Sequence, residues 1–278
     1  MAYTAEISRG QPGCFLFLID RSDSMNDDVK PGVSKAAEVA TMLNRVLHEL
    51  IIRCSKGEGV RDYFHVGVIG YQDEGAHNAL SALTGAEVLV PISTLAAQPL
   101  RCEQRPLKVS DGAGGLVETL TTFPVWCDAT ASGATPMCAA LKAAADALAP
   151  WCNAHPRSFP PVVLHLTDGA ATDGDPEPVA GLLHEIGTSD GGVLLLNVHI
   201  SALRGAREIV FPDSEAVLDD EYARILFRMS SPLVGGMLTV ARAEGFDVDG
   251  QSRGFMYNVR TERVVQFFSI GTRPAQVR

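Results

Sequence analysis

The sequence predicts an α/β protein: a doubly wound, mostly parallel central sheet flanked by helices on both faces. Three observations carry this. Unbroken apolar runs recur as "GCFLFLID", "YFHVGVIGYQD", "PPVVLHLTDG" and "GGVLLLNVHIS", and strands buried on both faces read this way instead of alternating. Segments of helical spacing separate the runs, the pattern of a sheet covered by crossover helices. Two of the runs end in Asp20 and Asp168, and sheets of this kind bind ligands at the carboxyl ends of their strands. The chain has 278 residues, 46% hydrophobic and 20% charged, enough for a substantial core. No linker, repeat or low-complexity stretch divides it. The expected organisation is one domain over 1–278, with a core of about 12–248 and a C-terminal extension of about 249–278.

In chain order, Gly13–Asp20 reads as the first buried strand. Ser34 is a helix N-cap, and Val39, Met42, Leu43, Val46, Leu47, Leu50 and Ile51 lie on one face of the helix that follows. Tyr63–Asp73 is a second core strand, followed by Glu74. From Gly75 to Val125 the pattern is irregular: "EVLVPI" suggests a short strand, and "DGAGGL" (Asp111–Leu116) a loop into a helix through Thr122. The Ala-rich segment from Pro136 is helical, with Pro at the tolerated first turn. "EPVAGLLHEIG" is a helix with Gly187 as its C-cap, and "DDEYARILFRMS" and "PLVGGMLTVARAEG" are two more. "GFMYNV" is strand-like. In "TERVVQFFSIG", Val264, Phe267 and Phe268 have helical spacing between a Thr261 cap and Gly271, with a hairpin as the alternative.

Charge and composition exclude several classes. The net charge is −10, from 23 basic and 33 acidic residues, and no Lys/Arg cluster appears, so neither nucleic acid nor an anionic membrane is expected as a partner. No stretch approaches the roughly 18 to 20 apolar residues that span a bilayer. "MAYTAEISRG" lacks the basic and apolar regions of a secretory signal. None of Cys14, Cys54, Cys102, Cys127, Cys138 and Cys152 forms a C-x-x-C pair. Reduced thiols and a cytoplasmic location are the expectation.

"FLFLIDRSDSMNDD" concentrates the chemistry. After the apolar strand, Asp20, Ser22 and Ser24 fall at alternate positions, and in an extended loop these point the same way. If both strands are central and parallel, Asp168 emerges at the same sheet edge. Carboxylates and hydroxyls are hard ligands suited to Mg²⁺ or Mn²⁺, and so few carboxylates make Ca²⁺ a poorer match. A plain turn, with Asp20 and Ser22 satisfying backbone N–H groups, stays open as an alternative. Asp23, Asp27, Asp28, Asp73 and Glu74 crowd the same edge, either as a solvated face or as a field drawing cations and basic surface. Asp173 and Asp175 read as a turn capping the next helix, with Asp173 also placed to line a metal rim. His165 reads as a hydrogen-bonded core residue. His48, His77 and His184 form no metal-binding pair, and no histidine accompanies the strand-end acids.

The D-x-S-x-S of "DRSDS", the Thr of "SGATPM" before a helix, and the "LTDG" strand end resemble, in order and approximate separation, the metal-ion-dependent adhesion site of von Willebrand factor A domains. The α/β alternation extends the resemblance over nearly the whole chain. It is nearest to compact bacterial, intracellular single-domain members, some tied to tellurium-resistance-type or kinase and phosphatase signalling systems. The resemblance implies Asp20, Ser22 and Ser24 as the first metal loop, Thr135 as the second and Asp168 as the third, some acting through water. It also implies an open coordination position for a partner's Asp or Glu. Asp23, Asp73 and Asp173, by their place at the sheet edge, are expected at the partner-binding rim. The partner would be a protein, such as a kinase or phosphatase encoded nearby in a stress, defence or signalling system. Two departures stand out: Asp23 and Ala134 occupy positions where Gly is common in the family. No catalytic residue is expected. As an alternative, "FLIDRSDS" superficially resembles Mg²⁺-dependent phosphatases of the haloacid-dehalogenase type, with Asp20 as nucleophile. That pattern wants a second Asp where Ser22 stands, and a later Lys, whereas no Lys follows Lys142.

Overall fold

In the computed structural model, residues 3–57, 59–73, 75–110, 115–200, 207–259 and 263–264 are described. Glu74, the Asp111–Gly114 part of the glycine-rich loop, and Thr261, Phe267, Phe268 and Gly271 of the expected C-terminal helix lie outside them. The chain runs β1 (Gly13–Asp20), α1 (Lys35–Cys54), β2 (Phe64–Gln72), β3 (Gly75–Asn78), β4 (Val90–Pro91), α2 (Ile92–Ala97), β5 (Arg101–Ser110), β6 (Leu116–Val125), α3 (Met137–Ala154), β7 (Val162–Thr167), α4 (Pro176–Glu185), β8 (Leu194–His199), β9 (Ile209–Val210), α5 (Glu221–Met229), α6 (Gly235–Ala243) and β10 (Phe255–Tyr257). Very short hairpins and single turns fill the gaps.

The main sheet has the order β9-β10-β8-β7-β1-β2-β3, with β4 also on β2. The pairs β10–β8, β8–β7, β7–β1 and β1–β2 are parallel, and β3, β4 and β9 add antiparallel edges. From β1 the chain builds first toward β2, then returns to the other side of β1 with β7. The strand order therefore reverses between β1 and β7, where open α/β sheets form a crevice at their carboxyl ends. β10 falls within the stretch read as a C-terminal extension and pairs between β8 and β9.

Every residue of β1 is buried, because each face has its own helices. Phe15, Phe17 and Ile19 join one core with α1, α2 and α6, while Cys14, Leu16 and Leu18 join another with α3, α4 and α5. Ser34 caps α1 by accepting from the Ala37 N–H at 3.2 Å, and the apolar face read from sequence is its buried face.

Two expectations fail. The stretch read as a helix through Thr122 is β6, paired antiparallel with β5 in a two-stranded arm outside the main sheet. Its Val117 and Leu120 are exposed, so no core-facing period marks it, and its abundant Thr and Val favour strand. Gly187 does not cap α4: Ile186 does, in extended conformation, and Gly187 opens a small hairpin with Gly192. All six cysteines are free, and of these only Cys102, on the arm, is exposed.

Candidate functional site

The register puts Asp20 beside Tyr71 on β2, Thr167 beside His199 on β8, and His199 beside Tyr257 on β10. One residue of each parallel strand thus forms a row on one face at the carboxyl edge, with Asp20 and Thr167 at the switch point. Asp20 is 1% exposed. Its Oδ1 accepts from the Ser22 N–H at 2.8 Å and its Oδ2 from the Thr167 hydroxyl at 2.6 Å. Burial raises its pKa, against the lowering effect of these hydrogen bonds. The turn-capping contact anticipated as an alternative therefore exists, within a larger cluster.

Beyond Asp20 the loop turns through a short 3₁₀ segment, Asp23–Asn26. Ser22 Oγ lies 3.1 Å from Ser24 Oγ, and the Ser24 hydroxyl donates to Asp168 Oδ1 at 2.8 Å. Asp20, Ser22, Ser24 and Asp168 therefore meet, as the sequence suggested. Thr135 stands on the adjoining loop, buried. That loop is stapled to the first by Ser132 N–H to Arg21 O (2.8 Å) and Asp23 N–H to Gly133 O (2.9 Å). Gly133 has φ +67°, and a Cβ there would collide with the Asp73 carboxylate, so this turn requires glycine. The third loop closes on the second through Thr172 N–H to Thr135 O (2.9 Å) and Thr135 N–H to Thr172 Oγ1 (3.0 Å).

The acids assigned to the rim differ in their commitments. Asp23 is exposed and accepts from Asn26 Nδ2 at 3.1 Å. Asp73 is exposed, with φ +52°. Asp173 sends both oxygens to α3, accepting from Cys138 N–H at 3.0 Å and Ala139 N–H at 2.8 Å. It caps the preceding helix, whose own N-cap position is Pro136 and offers no side-chain bond. Asp175 alone caps the helix that follows.

Sequence reasoning missed two groups. Lys35, the first residue of α1, reaches Asp168 Oδ2 at 2.6 Å, Asp27 at 3.0 Å and the Ser24 carbonyl at 3.3 Å. The Lys35 and Asp168 side chains are 6% and 2% exposed. Burial alone would lower the Lys35 pKa, but the Asp168 and then Asp27 contacts outweigh it and the net shift is upward. A lysine at a helix N-terminus opposes the helix dipole, and that misplaced charge was the available signal. His199 is the second group: it ends β8 at the level of Asp20, is 4% exposed and stacks on Tyr257, and neither ring nitrogen has a hydrogen-bond partner among the described residues. A histidine does accompany the strand-end acids. Burial lowers its pKa.

One layer deeper, His165 is a core residue, as read. Asn197 Nδ2 donates to Ser230 Oγ (2.9 Å) and Leu226 O (3.2 Å), so its Oδ1 accepts from His165 Nδ1–H (2.8 Å) and His165 Nε2 accepts from the Tyr71 hydroxyl (2.6 Å). Burial pushes its pKa down to about 4.

The oxygen cluster suits a hard divalent cation. Octahedral Mg²⁺ with oxygens at about 2.1 Å sets adjacent ligands about 3 Å apart. The successive separations Ser22–Ser24 and Ser24–Asp168, 3.1 and 2.8 Å, are of that size. Among the described residues no group of three His, Cys, Asp or Glu side chains could hold a metal, so any cation here would need the hydroxyls as donors.

The fold and site define an α/β chain with an oxygen-rich cluster at its switch point. No protein-family model matches the chain, and no curated protein does. Among solved structures it is similar to the pilus adhesin SpaC from Lactobacillus rhamnosus GG at 12% identity and TM-score 0.49, over 95% of this chain and 30% of that one. It is similar to the manganese-loaded TRAP protein of Plasmodium vivax at 14% and 0.45, over 93% and 72%. It is also similar to the vWF domain of the type V pili tip protein Mfa5 from Porphyromonas gingivalis at 14% and 0.33, over 58% and 39%. The chain thus spans less than half the length of SpaC and of the Mfa5 domain.

Proposed function

We propose that this protein is a metal-dependent protein–protein interaction module of the von Willebrand factor A type. Mg²⁺ or Mn²⁺ would be held by Ser22, Ser24 and Asp168, with Asp20 and Thr135 completing the set directly or through water. The cation supplies a positively charged coordination position for a partner's Asp or Glu. The observation that carries this is the continuous chain Ser22–Ser24–Asp168 at the β1/β7 switch point, its oxygens spaced as neighbouring ligands of one cation. The chain's own residues tie the three loops together through the Gly133 and Thr172 contacts. The rim acids Asp23 and Asp73 would repel an acidic partner lacking the metal's help, which favours contact only in the loaded state. The partner belongs to a bacterial stress, defence or kinase/phosphatase-linked system in the cytoplasm. Among the described residues no helix is long and apolar enough to cross a membrane.

A hydrolase using Asp20 is disfavoured, because both Asp20 oxygens are hydrogen-bonded and the residue is buried. A carboxylate nucleophile needs a free lone pair facing its substrate, and the Asp20 oxygens are committed to Ser22 and Thr167. The test is a pull-down of partners from the source cytoplasm with Mg²⁺ and with EDTA. A partner retained with Mg²⁺ and lost with EDTA and with Asp168→Ala is expected. Equal retention in EDTA contradicts metal-bridged recognition.

A further inference from the structure

We infer that Lys35 is an internal counter-ion of the site, holding the metal loops together without the metal and weakening cation affinity so that binding stays reversible. This rests on the metal reading above but concerns a residue outside the donor set. The Lys35 ammonium contacts Asp168 Oδ2, while Ser24 contacts Oδ1. The two oxygens of one carboxylate are therefore divided between a fixed cation and the hydroxyl chain. The same ammonium bonds the Ser24 carbonyl and Asp27, so it ties the 3₁₀ turn of the first loop to the third.

The charge count shows the consequence. Asp20, Asp168 and the Lys35-bonded Asp27 bring three negative charges, and Lys35 offsets one of them. Without Lys35, Asp168 would be a buried carboxylate lacking a counter-charge, a state that strongly destabilises a fold unless a cation enters. With Lys35 in place, an arriving cation meets one fewer net negative charge, and its attraction falls accordingly. After it binds, the Lys35 charge remains beside the site and adds to the field awaiting a partner carboxylate. The ammonium thus exchanges tight metal retention for a site that is assembled when empty and more electropositive when filled.

The test is calorimetric titration of MgCl₂ and MnCl₂ into the wild type, Lys35→Gln and Lys35→Arg, with thermal unfolding of each in EDTA and in Mg²⁺. Gln keeps an N–H donor toward Asp168 and loses the charge, whereas Arg keeps the charge. Lys35→Gln should bind metal at least about tenfold more tightly than the wild type, and its midpoint should fall in EDTA and recover with metal. A Gln variant recovered folded only in the presence of metal also supports the inference. Lys35→Arg should bind within about threefold of the wild type. Equal or weaker binding by Lys35→Gln, with the wild type binding, overturns the counter-ion role and leaves the metal reading standing. Tighter binding by Lys35→Arg likewise overturns it, because charge would not be the cause. No binding by any folded variant overturns both. Normal metal behaviour with a partner indifferent to EDTA overturns only the proposed recognition.

Discussion

Two polar rows lie on the same face of the sheet, one layer apart, and they behave differently. The deeper row, His165–Asn197, continues an unbroken hydrogen-bond chain of neutral groups from the Tyr71 hydroxyl of the outer row to the Ser230 that follows α5. Its donors and acceptors match one for one, so it fixes the packing of α5 on the sheet. The outer row and its loops carry the buried Asp20 and Asp168, a buried ammonium, and an imidazole with no hydrogen-bond partner among the described residues. A fully satisfied polar network rigidifies a core, and one with spare charge and spare valence is poised for a ligand. Polarity and burial are common to both rows, and only the balance of partners separates structure from site.

Substitutions should separate them. The largest effect is expected for Asp168→Ala, which breaks the buried Lys35–Asp168 pair and leaves the ammonium with the exposed Asp27 as counter-charge. It should cost about 3 to 5 kcal/mol in denaturant unfolding and abolish metal binding. Acid acts on the deeper row. Folding lowers the His165 pKa from 6.5 to about 4, so below 6.5 the unfolded chain takes up the proton first. The contribution of His165 is complete above pH 6.5 and declines as pH falls toward 4, by roughly 3 kcal/mol in total. Unfolding titrations across this range should show the slope reduced in His165→Gln, with metal affinity at neutral pH unchanged. A smaller effect, about 1 to 2 kcal/mol, is expected for Gly133→Ala, from its positive φ and the Asp73 collision. Because that turn staples the second loop to the first, its metal affinity should also fall a few-fold.

The features legible in the sequence share one property: their cause is local. Apolar runs ending in Asp20 and Asp168 mark strands buried on both faces, and the D-x-S-x-S hydroxyls do meet, through a 3₁₀ turn at Asp23–Asn26 and not through the extended loop expected. The arm strand β6 was not legible, because a strand that faces no core has no hydrophobic period. Lys35 was hidden for a different reason. Its partner Asp168 is 133 residues away, and only the sheet register brings them together. His199 could have been found by comparing strand ends, since it closes a buried strand at the level where Asp20 closes another. Asp173 was misplaced by assuming that a cap serves the helix after it, when here the fold carries it back to α3.

Titration calorimetry of Mg²⁺ into the wild type and Asp20→Ala tests the central claim most directly. One binding event in the wild type, lost in Asp20→Ala while the variant remains folded by circular dichroism, is the predicted result. No heat of binding in the wild type at millimolar metal, or equal binding by both proteins, would contradict the assignment of this cluster as a metal site.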